Sequence, residues 1–300
     1  MRRSLVAVFH VLVALFPFAL FPFALVGCND RSAKPDASAA GAPTDANAQL
    51  AFVRDGQKLR TLTRTELEAA VPSETWTAFD PYYGRPKTFR ALPLAPLLAF
   101  AFGKPVSELE KLDFVLRARD GYTVPMPGTL LFEKGGYLAV ADVDVPGWEP
   151  IGQQRANPAP FYLVWRETSQ HSLETHPRPW QLATIEIAPF DVTFPHTVPT
   201  GLASDAPAMK GFRLFRTTCI ACHAVNREGG RIGPDLNVPQ SVVEYRPAAQ
   251  IRAYIKNPLT FRYSTMPAHP DFTEADLDAL LAYFDAMKDR KHDPEGKPAH

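Results

Sequence analysis

The sequence predicts an α+β domain followed by a smaller all-α domain, and three observations lead there. Residues 49–198 mix short strand-like runs with short helical ones, without the strict alternation of a parallel fold. Residues 206–292 place amphipathic helical segments around one cysteine–histidine motif. Proline accounts for 30 of the 300 residues, about double the usual ~5%, and that density interrupts any long helical bundle. Charge and composition narrow the function classes. Lys and Arg number 32, as do Asp and Glu, so the basic excess of a general nucleic-acid binder is missing. With 46% hydrophobic and 21% charged residues, the chain is globular and not disordered.

The first element is an address. Arg2 and Arg3 precede an apolar run from Leu5 to Gly27 in which only His10 is polar, the charged and apolar regions of a secretory signal spanning 1–27. Within it Phe16-Pro17-Phe18-Ala19-Leu20 is repeated as Phe21-Pro22-Phe23-Ala24-Leu25, a duplication of the apolar region without chemistry of its own. The run ends Leu25-Val26-Gly27-Cys28, which resembles a bacterial lipobox. That resemblance implies lipidation of Cys28 and a folded part outside the cytoplasm, tethered to the cell envelope. Asn29, where an Asp would resemble an inner-membrane retention signal, points to the outer membrane. An uncleaved membrane-spanning anchor is the alternative, since ~20 apolar residues can cross a bilayer. Residues 28–48 are mostly Ala, Ser, Asp, Pro and Gly and read as a flexible tether.

The elements of 49–198 follow in order. Thr63-Arg64-Thr65-Glu66 is a capping box opening a short helix. Pro93 to Phe102 is apolar and helical. Leu112 to Arg119 alternates, with Leu112, Phe114, Leu116 and Ala118 on one side; Asp120-Gly121 and then Tyr122 to Pro125 make this a hairpin. Tyr137 to Val143, Phe161 to Trp165 and Ala183 to Ile187 are further strands. Trp148, Trp165 and Trp180 are core or rim aromatics. His171, His176 and His196 could form a metal site but read as solvated or structural. Asp142, Asp144 and Glu149 lack calcium-loop spacing. The region resembles, over residues 69–188, the molybdopterin-binding domain of sulfite-oxidase-type enzymes. The likeness rests on Arg90-Ala91-Leu92-Pro93-Leu94 with Leu97-Leu98, on Asp120-Gly121-Tyr122, and on Tyr162-Leu163-Val164 with Arg178-Pro179-Trp180. Those enzymes hold molybdenum through a cysteine thiolate, and no cysteine lies between 29 and 218. The expectation is a relative without molybdopterin, used for docking.

The C-terminal region carries the clearest chemistry. Cys219-Ile220-Ala221-Cys222-His223 is the c-type haem attachment pattern. Two thiols reach two vinyl groups on one porphyrin edge, and the next residue presents an imidazole to the iron. A zinc site would need a second cysteine pair, and Cys28 is the chain's one further cysteine. Ala208 to Thr218 reads as a helix entering the motif, with Phe212 and Phe215 spaced three apart. Gly229 to Leu236 is a Gly/Pro loop. Ala248 to Lys256 is a helix stopped by Asn257-Pro258. Thr273 and Asp276 cap a final helix whose Leu277, Leu280, Leu281 and Phe284 share one face.

These pieces together resemble a class I mono-haem cytochrome c domain over 206–292. The resemblance implies one covalently bound c-type haem. It also implies a crossing of the first and last helices at Gly211/Phe215 and Tyr283, a Pro234 carbonyl orienting the axial His223, and Met266 as sixth ligand. His269, three residues later, is the rival ligand. Axial occupancy by His and Met leaves no open iron site, which implies an electron carrier served by a redox partner protein, with no small-molecule substrate. The alternative is a haem-containing oxidoreductase whose α+β domain binds a second cofactor and a small substrate. A haem-anchored assembly or sensor protein is a third reading.

Overall fold

The computed structural model describes residues 47–261 and 263–294. The signal segment, Cys28 and nearly all of the tether lie outside the described residues.

Strands β1 (Gln49–Arg54) and β2 (Gln57–Thr63) form a hairpin. Asp55 and Gly56 turn it with positive φ, the conformation a two-residue hairpin turn requires. Helix α1 (Arg64–Ala70) begins at the expected capping box. Glu66 N donates to Thr63 Oγ1, and Thr63 N donates to the Glu66 carboxylate at 2.7 Å. Strands β3 (Glu74–Asp80) and β4 (Arg85–Pro93) follow, then α2 (Leu94–Phe102), α3 (Val106–Leu109), β5 (Asp113–Ala118) and β6 (Thr123–Pro127). Helix α4 (Gly128–Leu131), β7 (Gly136–Asp142), β8 (Tyr162–Trp165), β9 (Leu182–Ile187) and α5 (Phe190–Thr193) complete the sheet region.

The strands make two sheets. One has the order β2-β1-β9-β5-β6, the other β3-β4-β7-β8. β9 runs parallel to β1 and antiparallel to β5. The expected hairpin is β5–β6, with Arg117 opposite Thr123. The main core draws Leu50, Phe52, Phe114 and Leu116 from the first sheet and Leu138, Val140 and Leu163 from the second, together with Leu94, Leu97 and Leu98 of α2. A second, aromatic cluster joins Phe89, Tyr137, Trp148 and Tyr162. The strands of β1 to β4 carry no clear signal in the sequence. β2 is an edge strand with its first four residues exposed, so no apolar alternation marks it.

The buried charges of this region include two ion-paired sites. Lys87 is fully buried and donates to Asp142 at 2.7 Å and to Glu149 at 2.9 Å. Arg178 pairs with Asp80 at 3.3 Å, and Tyr162 donates to the same carboxylate.

The C-terminal region comprises α6 (Pro207–Leu214), the two-residue strands β10 (Ala224–Val225) and β11 (Glu228–Gly229), α7 (Val242–Tyr245), α8 (Ala248–Lys256) and α9 (Glu274–Lys288). The helix expected over 208–218 ends at Leu214 and continues as one π-helical turn, Phe215–Cys219. Helices α6 and α9 pack as the resemblance implied. A β-carbon on Gly211 would stand 1.9 Å from the Ala279 carbonyl oxygen, so glycine is needed for this close crossing. Phe212 and Phe215 lie against Tyr283, with centroids 5.9 and 5.3 Å away.

The sheet and helical regions are joined by hydrogen bonds and shared core. Thr123 N donates to Ala221 O, and Arg231 N donates to Gly121 O, both at 2.9 Å. Tyr283 Oη donates to Thr197 O at 2.8 Å. Val115 of β5 belongs to the helical region's core with Phe190 and Phe194, while Ala221 belongs to the core of the sheets.

Candidate functional site

The motif sits where the π turn ends. His223 N donates to Cys219 O at 2.9 Å, which closes the motif into a compact turn. Cys219 and Cys222 are both unpaired and half-buried. Burial pushes the Cys219 thiol up to about 12, and it pushes Cys222 up to about 11 with a further contribution from Asp120. Both sulfurs are therefore thiols at neutral pH.

The loop 229–236 wraps this turn by backbone bonds. Gly230 N donates to Ile220 O, Gly233 N to Cys222 O and Leu236 N to Ala224 O, each at 2.8 Å. The outcome is a defined imidazole. His223 Nδ1 lies 2.8 Å from Pro234 O. A carbonyl only accepts, so Nδ1 carries the proton and Nε2 keeps its lone pair in the neutral ring. Burial lowers the His223 pKa, partly opposed by the bond to Pro234, which favours that neutral form. Gly233 lies flat against the ring: a β-carbon there would come within 2.3 Å of His223 Cε1. A fixed imidazole with one free nitrogen, beside two free thiols, is a donor set that fits a c-type haem.

Several residues that hold this loop escaped the sequence analysis. The Asp235 carboxylate accepts from the backbone N of Arg227, Asn237 and Val238 at 2.7 to 2.9 Å. Asn237 Nδ2 donates to Asn226 Oδ1 and to Met287 O, both at 2.8 Å. Asn226 Nδ2 donates in turn to His196 O and Arg290 O. The two asparagines thereby tie the loop to α9 and to the backbone at His196. Asn226 and Asn237 stand singly in the sequence, 11 residues apart, so no local signal marked them.

Met266 lies half-buried in the segment between α8 and α9. Its N donates to Ser264 Oγ at 3.1 Å, and Ser264 is hydrogen-bonded to Tyr254 at 3.1 Å. His269 N donates to Ile255 O, and its ring stacks on Phe272 at 5.1 Å. Burial lowers the His269 pKa.

The other histidines go to separate places. His171 packs against Phe79 at a tilt, His176 bonds Glu133 at 3.0 Å and lies edge-on to Trp165, and His196 pairs with Glu228 and stacks on His292. Among the described residues no group of three or more His, Cys, Asp or Glu is placed to hold a metal ion. Among them, too, no helix is long and apolar enough to cross a membrane.

With this geometry in place, comparison with known proteins is informative. Residues 206–284 match the sequence profile of the family described as cytochrome c oxidase, cbb3-type, subunit III. The C-terminal helical region thus matches a cytochrome c domain. Such a domain implies a haem cofactor. The chain is also similar to cytochrome c oxidase subunit 2 of Alkalihalophilus pseudofirmus, with 32% identity over 88 residues. That likeness covers 27% of this chain and 26% of the relative, so the chain spans about a quarter of the length of the relative it matches. The sheet region lies outside the 206–284 match.

Proposed function

We propose that the protein is a c-type cytochrome that transfers single electrons in the bacterial cell envelope. Cys219 and Cys222 would form thioether bonds to the haem vinyl groups, with His223 and Met266 as axial ligands. When bound, the haem supplies a one-electron ferric/ferrous couple whose potential is raised by a thioether ligand. The observation that carries this reading is the His223–Pro234 hydrogen bond with Gly233 packed on the ring. It holds Nε2 unprotonated and fixed beside two free thiols. Pro234 orients the imidazole and raises its basicity as a ligand.

Cys28 would carry the lipid that tethers the chain to the outer membrane on its periplasmic side. Residues 49–198 would act without molybdopterin as a docking module for a redox partner protein. The likeness to cytochrome c oxidase subunits, over a shared segment of about a quarter of the chain, supports a place in respiratory electron transfer.

The test is protein matured in a periplasm with haem-attachment machinery. Haem should stay with the chain through denaturing electrophoresis, with one iron per chain and no molybdenum or copper. A stoichiometric second metal would overturn the cofactor-free reading of the sheet region. Met266→Ala should alter the ferric spectrum and lower the potential, whereas His269→Ala should do neither; the reverse pattern would make His269 the ligand.

A further inference from the structure

The chain carries equal numbers of basic and acidic residues, but one cleft does not share that balance. A cavity of about 320 Å³ lies between the sheet region and the loop that follows the attachment motif. Arg117 of β5 lines it from the sheet region, and Arg227 and Arg231 line it from the loop. Among the described residues Glu228 is the one carboxylate in the lining, against these three guanidinium groups.

The two walls are fastened to each other by backbone. Thr123 N donates to Ala221 O and Arg231 N donates to Gly121 O, both at 2.9 Å. A β-carbon on Gly121 would meet Arg231 Cβ at 3.0 Å, so the walls meet closely at that point. The arginines are therefore gathered by the fold itself, before any ligand arrives.

Like charges gathered in one cleft repel unless something neutralises them. Arg117 donates from one Nη to the Glu186 carboxylate at 3.1 Å, and its guanidinium lies over the Phe194 ring at 5.9 Å. Arg227 is held by the Asp293 carboxylate, through Nε and one Nη at 3.0 Å each. The side chain of Arg231 has no hydrogen bond or ion pair among the described residues. Glu228 does not supply one, because His196 takes up its carboxylate: the His196 backbone N donates to one oxygen at 2.8 Å and Nδ1 lies 2.5 Å from the other. A guanidinium presents five donors and no acceptor, in a planar fork that matches an oxyanion. Arg231 has all of its donors to offer, and Arg117 has used one.

We propose that this cleft binds a small oxyanion of the phosphate or sulfate class, free or as the head of a monoester, between Arg117 and Arg231. Charge-assisted hydrogen bonds from guanidinium to such an oxyanion are among the stronger polar contacts a protein makes. The volume is near the lower end of small-ligand sites, ~300–1,000 Å³, and leaves room for a small organic group beside the oxyanion. No bond is made or broken and no electron moves. The anion joins a strand of the sheet region to the loop after the motif, and it uses no residue assigned above to the haem.

The experiment uses the full-length holoprotein and inorganic phosphate, with sodium chloride at matched ionic strength as the control. Titration calorimetry should show one phosphate site per chain, and the thermal midpoint should rise with phosphate and not with chloride. Arg231→Ala should weaken phosphate binding roughly tenfold and leave the midpoint in chloride unchanged, since that side chain has no partner to lose. Arg231→Lys, which keeps the charge and loses the fork, should weaken it by less. Arg246→Ala, on an exposed arginine outside the lining, should leave binding as it was. Glycerol 3-phosphate binding more tightly than phosphate would assign the site to a monoester, and weaker binding would assign it to the free ion; both sustain the site. Phosphate binding no tighter than chloride, or binding that survives Arg231→Ala undiminished, would overturn it.

Modification of the unaltered protein by phenylglyoxal covers the case in which a variant fails to fold. Phosphate should slow modification of Arg231 several-fold and leave that of Arg246 unchanged. Equal rates at Arg231 with and without phosphate would refute the site.

Discussion

In the sheet region buried charges form ion pairs; in the haem-binding region buried polar side chains bond mostly to backbone. Lys87 meets Asp142 and Glu149, and Arg178 meets Asp80, in the interior of a fold whose strands already satisfy their own N–H and C=O groups. Around the motif the backbone is irregular, and Asp235, Asn226 and Asn237 make most of their bonds to it, with one bond between the two asparagines. A sheet can carry internal ion pairs as additions to a self-sufficient frame. A loop that must hold an imidazole in one orientation has no ladder to rely on, so its side chains become the frame.

The strongest way to break this comparison is to remove the chemistry and keep the frame. Cys219→Ser together with Cys222→Ser should abolish covalent haem entirely on a stained denaturing gel. Circular dichroism should still report the sheets, because neither cysteine belongs to the main core of that region.

Lys87→Met attacks the other region. It leaves the buried Asp142 carboxylate uncompensated, and breaking a buried pair in this way costs about 3–5 kcal/mol. Equilibrium denaturation should register that loss. A cost under 1 kcal/mol would mean that Lys87 contributes nothing beyond its volume.

Gly211→Ala comes next. The added methyl meets the Ala279 carbonyl, which is backbone and yields little, and overpacking of this kind costs about 1–3 kcal/mol. The loss should appear as a lower denaturation midpoint. If the midpoint holds, the α6–α9 crossing has room for a methyl group at residue 211.

The smallest effect is acidic. Asp276 accepts from Thr273 and pairs with Lys210 at 2.9 Å, and these contacts hold its pKa at about 2, below the ordinary 3.8. A depressed folded-state pKa contributes stability above the ordinary value, and that contribution is lost as pH falls from 3.8 toward 2. Asp276→Asn should therefore flatten the pH dependence of stability in that window and leave its slope near neutrality alone. An acid titration of both proteins followed by circular dichroism checks this.

Much of the haem-binding region was legible in sequence because its signals are short-range. The motif spacing, the Thr273 cap and the helix over Ala248–Lys256 all lie within a few residues of what they act on, whereas the Pro234 acceptor, 11 residues from His223, was implied by the family resemblance. The π turn at Phe215–Cys219 was missed, since an extra residue in a turn leaves apolar spacing almost unchanged. In the sheet region the β5–β6 hairpin and the Thr63 cap were readable for the same local reason. The β1–β4 strands were not: the exposed edge strand β2 lacks alternation, and Lys87 and Asp80 place charge at interior positions where a pattern reader expects apolar residues.

The amino-acid sequence by itself determined the local geometry: where helices start and stop, and the spacing of the Cys219–His223 motif. Only the tertiary structure decided that β9 returns to pair in parallel with β1, that Lys87 meets Asp142, and that the β5–β6 turn is fastened to the motif through Thr123 and Gly121. The physical reason is one of range. Periodicity and capping report which face of an element is apolar and where it ends, but the identity of the surface that covers that face depends on packing between segments far apart in the chain.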